Sequence, residues 1–116
     1  MTTTSTAVFV YGTLVDGERL EAVAGRRFAS APAVLEGYTR VSSPDTYPYV
    51  VPHAGGRVDG LLLFGIDPTA LERLDHYERE GQLYFRRPAT VRCRGAEMSC
   101  QVYVGNAAVL DPRAGG

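Results

Sequence analysis

The residues Val58-Asp59-Gly60-Leu61-Leu62-Leu63-Phe64-Gly65-Ile66 form the most apolar stretch of the chain, and they constrain its fold more than any other segment. A short run of this kind reads as a central strand buried on both faces, so the sheet that holds it must be covered on two sides. The next segment is equally legible. Asp67-Pro68 places an N-capping acid before a proline suited to the first helical position, which predicts a helix through Glu78. Leu71, Leu74 and Glu78 stand at i, i+3 and i+7 and share one stripe, while Glu72, Arg73 and His76 point away. The stripe that packs inward carries Glu78 with it. An ionised carboxylate there is costly unless paired, so either a raised pKa or a dedicated cationic or hydrogen-bonding partner is expected.

The rest of the chain is rich in strands. Ala7 to Tyr11 is an apolar run ending at Gly12-Thr13, a strand that stops at a turn. Asp16 to Ala24 has Leu20 and Val23 at helical spacing and ends at Gly25, which predicts a short helix. Strand character returns around Ala33–Leu35 and Tyr38–Val41, followed by a loop at Ser42-Ser43-Pro44-Asp45. Tyr47 to Pro52 reads as an edge strand, since its two prolines cannot donate to a ladder. His53 to Arg57, with Gly55-Gly56, is predicted as a hairpin turn. Leu83–Arg94 and Met98–Val104 form a closing hairpin about Arg94-Gly95-Ala96-Glu97, with residue 93 facing 98 and Val91 facing Cys100. The sum is about six strands and two short helices, an α+β domain built on a curved or barrel-like sheet. At 116 residues a single domain with one core is expected over residues 1–116, with residues 1–6 and 106–116 flexible.

Composition narrows the function. The balance of 12 basic and 13 acidic residues, with the arginines scattered among acids, argues against a nucleic-acid partner. Every basic residue is arginine, so Schiff-base lysine chemistry and a phosphate-binding P-loop are excluded. No segment is long and apolar enough to span a membrane, and Met1 to Thr6 lacks the features of a signal peptide, so a cytoplasmic location is expected. Cys93 and Cys100 fall on one side of the closing hairpin and read as small core residues rather than a disulfide or metal pair. His53 and His76 do not complete a ligand set with them.

Several short motifs occur in a definite order: Tyr11-Gly12-Thr13-Leu14, Tyr47-Pro48, Val58-Asp59-Gly60, Leu74-Asp75-His76-Tyr77-Glu78, Tyr84-Phe85-Arg86 and Val102-Tyr103-Val104. In joint order and spacing they resemble the gamma-glutamylcyclotransferase-like superfamily, above all its small gamma-glutamylamine cyclotransferase (AIG2-like) branch, from Val8 to Val104. The resemblance implies a mixed β-barrel with a cavity at one end. It also implies release of 5-oxoproline from a γ-glutamyl amine or γ-glutamylated metabolite, with no metal and no cofactor. Glu78 matches the catalytic glutamate, and Gly12, Thr13 and Leu14 match the loop that holds the γ-glutamyl group, with Tyr11 leading into it. Many relatives carry glycine directly after the glutamate, whereas here Arg79-Glu80 intervene before Gly81. That difference bears on substrate identity: Arg79 meets an anionic leaving portion or faces water.

The chemistry accounts for such sparse equipment. The substrate's own α-amine attacks its γ-carbonyl, so no serine or cysteine nucleophile is needed. One carboxylate of raised pKa can take a proton from that amine and return it to the departing one. Free N–H groups of a tight turn suit the oxyanion, and a side chain at Gly12 would block the ligand's approach. Alternatives stand beside each assignment. Glu78 is otherwise a structural carboxylate paired with Arg86 or Arg40, and Asp75 is a competing candidate unless it bonds backbone amides or an arginine. Tyr84 and Tyr103 either wall the cavity and bond the substrate or are strand aromatics with satisfied hydroxyls, and Tyr47 and Arg86 share that ambiguity. The partner implied is a small γ-glutamyl molecule, neither nucleic acid nor membrane, with a homodimer through Tyr47–Val51 conceivable. The other class is a non-catalytic member that keeps the cavity and binds a ligand or a protein.

Overall fold

The computed structural model describes residues 6–43 and 46–106, with the side chains of Thr13, Ser43, Thr46 and Tyr47 outside that description. The strands are β1 (Thr6–Val10), β2 (Ser30–Ser43), β3 (Thr46–Ile66), β4 (Tyr84–Cys93) and β5 (Ala96–Gly105). A 3₁₀ turn (Thr13–Val15) and helix α1 (Gly17–Ala24) follow β1, and helix α2 (Pro68–Glu78) follows β3. The strands close into a barrel in the order β1-β3-β2-β4-β5, with β1 and β5 parallel and all other neighbours antiparallel. Closure leaves no continuous sheet edge to protect.

The Val58–Ile66 run behaves as its composition demands. It pairs with β1 on one side and β2 on the other. Successive leucines face opposite ways: Leu62 packs with Phe9, Leu35, Val91 and Val102, and Leu63 packs with Val8, Leu20, Ala70 and Leu74. All five strands contribute to the Leu62 cluster, which fills the barrel, while the Leu63 cluster joins the barrel wall to both helices. Each fully buried leucine contributes on the order of 2 kcal/mol. Cys93 and Cys100 are free thiols in the barrel interior, and burial pushes Cys100 up to about 11.

The strand count corrects the expectation of six. His53–Arg57 is not a hairpin turn, because β3 runs through it as one strand from Thr46 to Ile66. Glu36 faces Arg57 and Tyr38 faces Pro52, so Gly37 alone stands opposite His53–Gly56 in a large bulge. Gly37 takes φ 83° and Gly55 φ 79°, and a Cβ on Gly56 would lie 2.3 Å from the Tyr38 carbonyl oxygen. The glycines that suggested a turn instead let two backbones bend together. Between Tyr49 and Pro52, β3 pairs with β2 alone, in keeping with its prolines. Tyr49 and Val50 are buried within the protomer, and Pro48 and Val51 are half-buried. Ser42 and Ser43 belong to β2, and Pro44-Asp45 lie outside the described residues.

The closing hairpin is tighter than expected. Cys93 pairs with Ala96 and Val91 with Met98 across a two-residue turn, Arg94-Gly95, in which both residues have positive φ. Such turns match the twist of the strands. The register differs from the expected one by two residues, and a shift of two leaves every side chain on its own face. Of the termini expected to be flexible, Thr6 pairs with Ile66 and Asn106 is held by Leu83 and Gln82 carbonyls, while the remainder lies outside the described residues. Among the described residues, no helix is long and apolar enough to cross a membrane.

Candidate active site

Glu78 is the last residue of α2, whose start is the capped turn read from sequence: Asp67 Oδ1 accepts from the Ala70 N–H at 2.7 Å. Ala70 and Leu74 are fully buried against the barrel, Leu71 and Tyr77 are half-buried, and Glu72, Arg73 and His76 are exposed. This packing fixes the rotation of the helix and swings Glu78 over one end of the barrel. There it borders a cavity of about 380 Å³ lined by Phe9, Val10, Tyr11, Gly12, Leu14, Tyr84 and Tyr103, among others. Desolvation pushes the Glu78 carboxyl up from its ordinary value to about 7. Among the described residues no cation pairs with it.

The arginine considered as a partner for Glu78 is occupied elsewhere. Arg86 grips Asp75 with two bonds, Nε to Oδ1 at 2.8 Å and Nη2 to Oδ2 at 3.2 Å. Tyr103 donates its hydroxyl to Asp75 Oδ1 at 2.7 Å, and the Asp75 bond holds the Arg86 guanidinium above its usual range. Asp75 is thereby committed to structure, one helical turn before Glu78. It joins α2 to β4 and β5 and leaves Glu78 as the carboxylate facing the cavity.

The tyrosines are similarly engaged. Tyr11 donates to the Tyr103 carbonyl at 2.6 Å, and Tyr84 donates to the Pro48 carbonyl at 2.8 Å. Burial drives the hydroxyls of Tyr11 and Tyr103 far above the ordinary phenol range, for Tyr103 with the Asp75 bond adding to it. Tyr11 and Tyr103 are therefore not bases near neutral pH. They form rigid aromatic walls whose hydroxyl protons already point to protein acceptors, so a ligand meets their rings or their oxygen lone pairs.

The turn after β1 is short and tight, closed by the Val15 N–H on the Gly12 carbonyl at 3.1 Å. In an i to i+3 turn, the N–H groups of Thr13 and Leu14 precede the first closing bond and are not used by it. Gly12 lacks positive φ, and a Cβ there would meet only the Pro48 ring at 3.9 Å. Neither conformation nor packing requires glycine at this position.

Of the residues singled out from sequence, Tyr11, Gly12, Leu14, Glu78, Tyr84 and Tyr103 meet in one cavity, while the side chain of Thr13 lies outside the described residues. Arg86 stays out of the lining. Arg19 on α1 and Leu83 also line the cavity, and neither carries a motif that sequence reading could have used. The place of Arg19 follows from α1 packing on α2, a contact between elements about fifty residues apart.

Comparison with known proteins bears on the fold and the family. AIG2-like protein D of Arabidopsis thaliana is 35% identical over 78 residues, 66% of this chain and 51% of that protein. The chain thus spans about half the length of the curated relatives it matches. A solution structure from Arabidopsis thaliana superposes with TM-score 0.81 at 28% identity, covering 100% of this chain and 72% of that one. A structure described as a gamma-glutamyl cyclotransferase superposes with TM-score 0.72 at 19% identity, over 89% of this chain and 68% of that one, a likeness of fold. The sequence model of one family, described as "Gamma-glutamyl cyclotransferase, AIG2-like", matches residues 8–115, and the chain belongs to that family.

Proposed function

We propose that the protein is a cofactor-independent γ-glutamyl cyclotransferase, acting on a small γ-glutamylated amine. The observation that carries this reading is Glu78, a carboxyl without a cationic partner among the described residues, poised at about 7 on the wall of the cavity. Ionised, it takes a proton from the substrate's α-amine as that nitrogen attacks the γ-carbonyl. A C–N bond forms, the ring closes, and the carbonyl oxygen takes the negative charge. The turn N–H groups of Thr13 and Leu14 stabilise that oxyanion. As it collapses, the bond to the departing amine breaks, and protonated Glu78 returns its proton to that nitrogen. The products are 5-oxoproline and a free amine.

Holding both nitrogens beside one carboxyl is the main catalytic resource, since the nucleophile is already part of the substrate. Tyr11, Tyr84 and Tyr103 shape the pocket for the γ-glutamyl group and exclude water from it. The test is 5-oxoproline release from a panel of γ-glutamyl amines and dipeptides by the native protein and by Glu78→Gln. The variant should lose roughly 10²-fold or more of kcat. In the native protein kcat/KM should rise with pH through about 7, because only the ionised carboxylate accepts the proton. Equal rates for the two proteins would remove Glu78 from the chemistry. A panel without a single turned-over member would favour the binding-module reading.

A further inference from the structure

Five ion pairs occur among the described residues, and Asp75–Arg86 differs from the rest. Its side chains are 25% and 29% exposed, whereas every side chain in the other four is 37% exposed or more. A pair so placed resists solvent screening, and loss of one partner leaves the other charge poorly compensated. It is also tied into its surroundings at several points. Asp75 Oδ1 accepts from the Tyr103 hydroxyl as well as from Arg86 Nε, and Arg86 Nη1 reaches Gln101 Oε1 at 3.4 Å. The loop after α2 closes on the same residues. The Glu80 N–H donates to the Asp75 carbonyl at 2.9 Å, and the Arg86 N–H donates to Glu80 Oε2 at 3.3 Å.

This knot stands beside the cavity, and only Tyr103 reaches into its lining. Asp75 precedes Glu78 by three residues, so the two carboxylates are neighbours on the surface of α2. Tyr103 joins them: its hydroxyl is bonded to Asp75, it lines the cavity with Glu78, and the charges of Asp75, Arg86 and Glu78 all act on it. A bare Asp75 carboxylate would disfavour the ionised form of Glu78, and a bare Arg86 guanidinium would favour it. Locked together, the two charges oppose each other, and burial is what raises the Glu78 carboxyl. Tyr11 from β1, Tyr84 from β4 and Tyr77 from α2 also border the cavity, with Arg19 from α1 and Arg79 exposed at its mouth and Arg40 of β2 acting on Tyr11. These groups are common to every variant below, so a shift caused by the pair is read against a constant background.

We propose that Asp75 and Arg86 are positioning residues for Glu78, a matched pair of charges that anchors the last turn of α2 and cancels its own field at the Glu78 carboxyl. The inference rests on the catalytic reading of Glu78 for its use, but its test does not require turnover. Protonation of Glu78 is followed by NMR of its isotope-labelled side-chain carboxyl, assigned by its loss in Glu78→Gln. Asp75→Asn leaves a cation and should lower the titration midpoint by about 0.5–1 pH unit, whereas Arg86→Gln leaves an anion and should raise it by a similar amount. The double variant and Arg86→Lys keep the pair neutral and should titrate within about 0.3 pH unit of the native protein. Arg86→Lys cannot form the two-pronged grip, so it should keep the midpoint while losing roughly tenfold of kcat for 5-oxoproline release.

Midpoints that stay in place in both single variants, or that move in the same direction, would overturn the proposal, because loss of packing has no reason to change sign with the charge removed. If the single variants do not fold, Arg86→Lys and the double variant decide: a departure from the native midpoint beyond that limit overturns the charge balance, and agreement sustains it. If the opposite shifts appear while the native protein turns over no γ-glutamyl compound, the catalytic reading fails and the hold of the pair on Glu78 stands.

Discussion

Gly12 illustrates how a single residue can be separated into its structural and its ligand-facing demands. Its φ is ordinary and an added methyl would touch only Pro48, so the fold does not ask for glycine there. The cavity it lines does, if a ligand approaches the backbone of the turn. Gly12→Ala should therefore change stability by less than about 0.5 kcal/mol while raising KM at least roughly tenfold, with kcat less affected. A denaturant melt and steady-state kinetics on the same preparation check both halves, and an unchanged KM would remove the turn from the binding site. Glu78 is legible by its helical spacing alone. Its partnering is not, since Arg86 and Arg40 fit the sequence equally well and the register of β4 against α2 gives Arg86 to Asp75.

Helix α2 shows the same division at the level of an element. Asp67 and Pro68 begin it in sequence and in space, but its end is set by a residue that propensity would not choose. Relieving the left-handed Arg79 with glycine should stabilise the protein by up to about 1 kcal/mol, a rise of up to about 4 °C in Tm. A Tm that falls would show that the arginine side chain, rather than the cap geometry, holds the end of the helix. Strand β3 carries the complementary lesson. Gly55-Gly56 is a valid turn signal, yet here the glycines permit a bulge, because pairing with β2 on both sides of it outweighs the local preference. In the β4–β5 hairpin, where the observed register differs by two residues from the one the turn residues suggest, the alternation of buried and exposed side chains survives because its period is also two.

Across the whole molecule, the Glu78 carboxyl links the site to stability. Its pKa in the folded protein, about 7, lies above the ordinary value of 4.5, so the folded state holds the proton more tightly than the unfolded chain. The stability this contributes is complete below about 4.5 and is lost as pH rises through about 7. Glu78→Gln cannot ionise and escapes that loss. Native and variant proteins should melt at similar temperatures near pH ~4, and the variant should be the more stable by about 2 kcal/mol near pH ~9. Parallel melting curves at all pH values would mean that the carboxylate is as well solvated in the fold as outside it. The buried central strand, the capped helix, the turn after β1 and the family to which their order belongs can all be read along the chain, because they are written in local composition and in periods of 2 and 3.6 residues. That β3 is one strand, that Asp75 rather than Glu78 receives Arg86, and that Arg19 joins Arg79 at the cavity's rim emerges first in three dimensions. Those are contacts between residues far apart in the chain, settled by barrel closure and helix packing, and no local pattern encodes them.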